Sequence, residues 1–231
     1  MSAARPSFDR LARRYRLLEY LAFGRELERA RFAFLDRIAD RRDILLLGEG
    51  DGRCAGRLAA LAPDARLVCV DSSPAMIGRA ARRVAATNAR GRVSFTCADL
   101  LSYCPEAGRF DAVVTLFFLD CFDEAEVASI ISRVAPALQP GAPWLFADFT
   151  LPESGIARVR ARVWLAILYT FFRWETGLRV SSLPPSEVLL VRAGWRRVAC
   201  RDYQWGLIRS AVFNRHSDRR GPITGARSAS A

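Results

Sequence analysis

Ile44-Leu-Leu-Leu-Gly48-Glu-Gly-Asp-Gly52 is an apolar run that feeds a glycine-rich turn. Four consecutive aliphatic residues without polar alternation read as a strand buried on both faces, and the glycines let the chain break sharply into a helix that begins at Arg53. The turn is a seat for a small molecule. Glycine at 48, 50 and 52 permits positive φ and close approach of backbone to ligand, and the N-terminus of the following helix faces the same spot.

Toward the C-terminus the same unit repeats. Ala65-Arg-Leu-Val-Cys-Val70 is a second strand closing on Asp71, and Ser72-Ser73-Pro74 supplies a cap and a first-turn proline for a helix over 75–86. Arg92-Val-Ser-Phe-Thr-Cys97 is a third strand, ending at Ala98-Asp99. Phe110-Asp-Ala-Val-Val-Thr-Leu116 is a fourth, followed by Phe117-Phe-Leu-Asp120 and a helix with Asp123 and Glu126 spaced as a capping box. Residues 141–149 make a fifth. Strands alternating with helices in this way predict an α/β fold with a mostly parallel sheet whose ligands sit at the carboxyl ends of the strands.

Upstream, Phe8, Leu11, Tyr15 and Leu18, then Leu27, Ala30, Phe34, Leu35 and Ile38, recur at helical spacing, with Ser7 as a cap before the first. A helical cap over 7–40 is expected there, with Tyr15 and Tyr20 as polar-tipped aromatics near the pocket mouth. Downstream, residues 156–175 carry Trp164, Leu165, Ile167, Leu168, Tyr169, Phe171, Phe172 and Trp174 nearly all round. Such a helix packs in the core, covers an apolar ligand as a lid, or touches a membrane surface. A short helix follows Pro184-Pro185-Ser186, residues 195–203 and 206–213 read as two strands, and 217–231 as a disordered polar tail. The expectation is one domain over 1–216 with its core at 43–150.

At 231 residues and 51% apolar content, the chain has ample material for one core. The longest apolar run in the C-terminal half, residues 163–172, is too short to span a bilayer. The N-terminus lacks the apolar segment of a signal peptide, which places the protein in the cytoplasm. Six cysteines without a C-x-x-C pair and a single His216 indicate neither a disulfide framework nor a metal site. The net charge of +11 invites a nucleic acid partner, but all 35 basic residues are Arg, and they are spread along an Ala-rich chain rather than gathered. Compositional bias explains them better.

Two ligands compete for the glycine turn. Gly50-x-Gly52-x-x-Ala55 satisfies the loose dinucleotide pattern, and Asp71 falls 21 residues after Gly50, where a ribose-binding acid is wanted. Yet Glu49 and Asp51 place two carboxylates in the turn, which repel a pyrophosphate and attract a cationic ligand. S-adenosylmethionine, with its ammonium and sulfonium and no phosphate, is such a ligand.

In these motifs the chain resembles the class I S-adenosylmethionine-dependent methyltransferases, and within them the ubiquinone and menaquinone biosynthesis C-methyltransferases. The resemblance rests on Gly48-Glu-Gly-Asp-Gly52, Asp71, Asp99 with Leu100, the stretch from Phe110 to Asp120, and Pro140-Gly141. It implies a Rossmann-like seven-stranded sheet with an antiparallel last strand. It also implies that Gly48, Glu49, Gly50 and Gly52 meet the methionine moiety, that Asp71 with Ser72 takes the ribose, and that Asp99 meets the adenine between Leu100 and Met76. Leu116 and Phe117 would lie under the sulfonium. One position departs: the family carries an acid two residues before the first glycine, where this chain has Leu46.

The reading is methyl transfer to a small, apolar or aromatic acceptor. Asp120, Tyr15 and Tyr20 are open as proton acceptors, and no catalytic residue is singled out. A nicotinamide-dependent oxidoreductase, a nucleic acid methyltransferase and a non-catalytic S-adenosylmethionine-binding relative are the alternatives. Peripheral membrane contact is left open, and the sequence is silent on oligomeric state.

Overall fold

The computed structural model describes residues 24–87, 89, 91–176 and 182–215, with the backbone alone for 171–176. The expectations that rest on Ser7 to Tyr20, on the side chains of Phe171, Phe172 and Trp174, on His216 and on the tail lie outside the described residues.

The sheet has the strand order β3-β2-β1-β4-β5-β7-β6. Its centre is β1 (Asp43–Leu47), flanked by β2 (Arg66–Asp71) and β4 (Ala112–Leu116), with β3 (Val93–Cys97) at one edge and β5 (Pro143–Phe149) on the other side. These five run parallel. β7 (Ile208–Arg215) pairs antiparallel with β5, and β6 (Trp195–Tyr203) antiparallel with β7, so β7 alone opposes the rest. This is the Rossmann-like arrangement the sequence predicts.

Burial explains the strand sequences. Ile44 and Leu46 of β1 pack on one face with Cys54, Ala55 and Leu58 of α2 (Arg53–Leu61), while Leu45 and Leu47 pack on the other with Val127, Ile130 and Val134 of α4 (Glu124–Val134). Both faces are therefore covered. Each such side chain contributes about 1.5–3 kcal/mol by leaving water. Between α2 and α4 in sequence lies α3 (Pro74–Ala85), begun by Ser73, whose hydroxyl accepts from the Met76 N–H at 3.2 Å. α4 opens on the capping box formed by Asp123 and Glu126.

The N-terminal pattern from Leu27 to Ile38 is broken in the structure. α1 (Glu26–Phe32) ends early and is followed by a 3-10 turn, Leu35–Ile38. The break lets Leu27 and Ala30 join an apolar cluster with Phe149, Leu165 and Ile208, while Leu35 and Ile38 enter the core beneath α2. Ser210 on β7 donates its hydroxyl to the Ala30 carbonyl at 2.7 Å, which anchors α1 to the sheet.

α5 (Gly155–Thr176) is buried on one side only among its described side chains. It is apolar round most of its circumference, yet among its described side chains only Ala161, Leu165 and Tyr169 are buried, whereas Ile156, Val159, Val163 and Ile167 face solvent. One face packs on the cluster with Phe149 and Leu207, and the opposite face has no sheet to meet. α6 (Ser186–Arg192) closes the set, covering Trp195 with Leu189 and Leu190.

Candidate functional site

The strand order reverses between β1 and β4, and the residues chosen from sequence gather at the carboxyl ends of β1 to β4 around that point. The glycine loop follows β1 directly, with φ of +66°, +68° and +85° at Gly48, Gly50 and Gly52. Their reasons differ. A Cβ on Gly48 would lie 2.1 Å from the Phe118 ring, and one on Gly52 would lie 2.6 Å from the Ala80 Cα. Those two glycines permit close packing of the protein on itself. A Cβ on Gly50 would meet nothing within 4 Å, so this glycine borders open space.

Asp71 ties the loop to β2. One carboxylate oxygen accepts from the Gly50 N–H at 2.9 Å, and the other from the Ser73 N–H at 2.9 Å. Ser72 beside it is exposed, and Met76 one turn into α3 is buried. Asp99, after β3, accepts from the Leu101 N–H at 3.2 Å and meets the Ser102 hydroxyl at 3.2 Å, with Leu100 buried next to it. Both acids therefore hold their own turns in shape.

The two acids of the loop part company. Glu49 accepts from the Ala55 N–H at 2.9 Å, so its carboxyl occupies the first turn of α2. Burial pushes its pKa up to about 8, with Asp51 and Asp71 adding to the rise and the Ala55 N–H and Arg31 opposing it. Asp51 instead meets the Arg53 guanidinium at 3.0 Å and the Arg83 guanidinium at 3.2 Å. The expectation of two carboxylates offered to a ligand is thus corrected to one, because two arginines neutralise Asp51. Leu46 is buried among Cys54, Ala55 and Leu58, where a charge would be costly.

At the end of β4, Leu116 is half-buried and Phe117 takes a φ of +54°. An aromatic residue in that region is strained by roughly 1–3 kcal/mol, a conformation that clusters at binding sites. The Phe117 ring meets Phe149 edge-on at 5.6 Å and carries the Arg31 guanidinium over its face at 5.3 Å.

Sequence reading missed the group that lies next to it. Asp148, next to the last residue of buried β5, accepts from the backbone N–H groups of Asp120 at 3.1 Å and Phe149 at 2.9 Å. Asp120 and Asp148 are both buried. Burial pushes the Asp120 pKa up to about 6 and that of Asp148 well above the usual carboxylate range, the nearby Asp120 charge adding to the latter. Two carboxyls in such contact titrate as a pair that shares a proton. Tyr169 of α5 donates to the Asp120 carbonyl at 3.4 Å, and the Cys121 thiol lies 3.7 Å from the Asp120 carboxylate. An acid inside Trp144-Leu-Phe-Ala-Asp148-Phe is itself a signal, since a fully buried strand tolerates an acid only for a reason.

Residues 44–141 match the family model described as a methyltransferase domain. No curated protein sequence matches the chain. Among solved structures it is similar in fold to the N-methyltransferase NodS from Bradyrhizobium japonicum WM9, at 22% identity over 82% of this chain and 96% of that one, with a TM-score of 0.55. The magnesium protoporphyrin IX methyltransferase from Synechocystis PCC 6803, solved with bound SAH, is 17% identical over 90% of this chain and 96% of that one, with a TM-score of 0.67. The mitomycin 7-O-methyltransferase MmcR is 18% identical over 91% of this chain and 61% of its own length, with a TM-score of 0.67. The matched segment, residues 44–141, is the one that holds the glycine loop, Asp71 and Asp99.

Proposed function

We propose that the chain transfers a methyl group from S-adenosylmethionine to a small, apolar or aromatic acceptor. The observation that carries this reading is the placement of Glu49. A dinucleotide needs the first turn of the helix after the glycine loop for its pyrophosphate, and here a carboxyl already takes the Ala55 N–H. A carboxyl there, which ionises when a cation approaches it, disfavours a nicotinamide cofactor and favours a cationic ligand.

S-adenosylmethionine, when bound, supplies a methyl group on a positively charged sulfur. Glu49 would hold the ammonium end, and the open face of Gly50 leaves room for the backbone to approach it. Asp71 with Ser72 would take the ribose hydroxyls; Asp99, Leu100 and Met76 would enclose the adenine. Leu116 and Phe117 would floor the reacting end. The acceptor would lie among Phe117, Phe149, Trp164, Leu165 and Tyr169, an apolar cluster that excludes water from the methyl in flight. The motif resemblance to quinone-biosynthesis C-methyltransferases favours an aromatic ring there.

Methylation forms a bond from the acceptor's nucleophilic atom to the methyl carbon, breaks the carbon–sulfur bond and releases a proton where the acceptor carries one. Holding the two partners in line supplies most of the rate. The Asp120–Asp148 pair is the proposed proton acceptor, because its pKa near 6 at Asp120 keeps one site ionised at neutral pH.

Isothermal titration tests the cofactor. S-adenosylmethionine and S-adenosylhomocysteine are expected to bind, and NADH is not. A chain that binds NADH and ignores both sulfur nucleosides would sink the reading.

A further inference from the structure

The outer face of α5 is apolar and uncovered. Ile156, Val159, Val163 and Ile167 follow one another at steps of three, four and four residues, which puts them on one stripe. Their exposures are 84%, 64%, 55% and 55%. Trp205, 73% exposed, extends the patch: the Arg160 guanidinium, one turn beyond Ile156, lies 4.6 Å from its ring centre and donates to the Gln204 carbonyl at 3.0 Å. Gln204 and Trp205 hold φ of +51° and +61°. Two consecutive strained residues persist only where the surroundings fix them, and here they project an indole into solvent.

Arginine dominates the charges near the stripe. Arg160 and Arg162 flank it, Arg158 stands on the far side of the first turn, Glu153 precedes the helix, and from 155 to 170 the helix has no acid. Arg158 donates to the carbonyls of Pro152 and Glu153, and Arg160 to Gln204, so their hydrogen bonds leave the positive charge unneutralised. No helix among the described residues is long and apolar enough to cross a membrane. A helix with an aliphatic stripe, an exposed Trp and flanking arginines has instead the make-up of one that lies in the headgroup layer.

We propose that α5 and Trp205 form a docking surface for an anionic lipid bilayer. A second copy of the chain fits less well, since pairing two such faces would bring four arginines together, and from 155 to 170 the helix has no carboxylate to offset them. The inner face of α5 carries Tyr169 against Asp120, so docking would set the apolar cluster close to the bilayer. The surface does not depend on the acceptor proposed above.

Co-sedimentation with phosphatidylcholine vesicles, with and without phosphatidylglycerol, tests it on the full chain. The protein is expected to bind the anionic vesicles, to be released by salt, and to bind the zwitterionic ones weakly. The double substitution Val159→Asp with Val163→Asp should weaken binding roughly tenfold or more, and Trp205→Ala on a separate element should weaken it as well. Val191→Asp, at a 55% exposed position on α6, should leave it unchanged. The proposal is overturned if anionic vesicles are ignored at low salt, or if Val191→Asp costs as much as the double variant. It is equally overturned if the double variant converts a dimer into a monomer and vesicle binding is absent throughout.

Discussion

At the glycine loop, two acids take backbone groups close in sequence, Glu49 the N–H of Ala55, six residues on, and Asp71 that of Ser73, two residues on, while Asp71 also reaches back 21 residues to the Gly50 N–H. At the other end of the same rim, Asp120 and Asp148 meet across 28 residues, and Tyr169 reaches Asp120 across 49. The local bonds of the first arrangement are a property of a short segment and can be read from one. The second exists only once β4, β5 and α5 are packed, and it gathers acids in a dry place where a proton is shared rather than lost.

The contrast can be broken most sharply at Gly52. Its φ is positive, and a Cβ there would stand 2.6 Å from the Ala80 Cα, so Gly52→Val should destabilise the fold by about 2–5 kcal/mol, read from chemical denaturation. Gly50→Ala, with open space but a φ of +68°, should cost only about 1–2 kcal/mol in stability. If the two variants were equally stable, the division between packing glycine and ligand-facing glycine would be wrong.

At the acid pair, Asp148→Ala leaves two buried N–H groups without their acceptor and should cost about 1–3 kcal/mol. Asp148→Asn keeps an acceptor and should recover most of that stability. For activity, Asp120→Asn should flatten the acid limb of the rate profile that rises through about pH 6. An unchanged profile would remove the pair from proton transfer.

Glu49 sharpens the loop end through pH. Its folded pKa of about 8 lies above the usual 4.5, so the fold favours the protonated form and binds more protons than the unfolded chain between those values. Stability of the ligand-free protein should therefore fall as pH rises from about 4.5 through about 8. Glu49→Gln should lessen that fall in thermal melts. A cationic ligand lowers the same pKa, so binding near pH 7 should release about one proton, seen as a dependence of the titration heat on buffer ionisation enthalpy. In Glu49→Gln that dependence should vanish and affinity should drop roughly tenfold.

Most of the parallel half of the fold was legible because each strand is buried on both faces and each helix announces its own cap, as at Ser73 and Asp123. The positions of the glycine loop, Asp71 and Asp99 at the carboxyl ends of strands were legible for the same local reason. Asp51 was misread because its partner Arg83 is 32 residues away. Asp148 and the exposed stripe of α5 were missed because burial, not residue type, gives them their meaning.

The sequence by itself determined the order of strands and helices and the place of the turn at their centre, both consequences of periodicity and backbone freedom within about ten residues. Only the tertiary structure decided which acid of the loop is paired with arginines, which of its glycines pack against the protein and which borders open space, that two carboxyls share one dry site, and which side of α5 meets water. Those depend on distances between segments remote in the chain, and desolvation, which sets their energetics, is a property of the packed molecule alone.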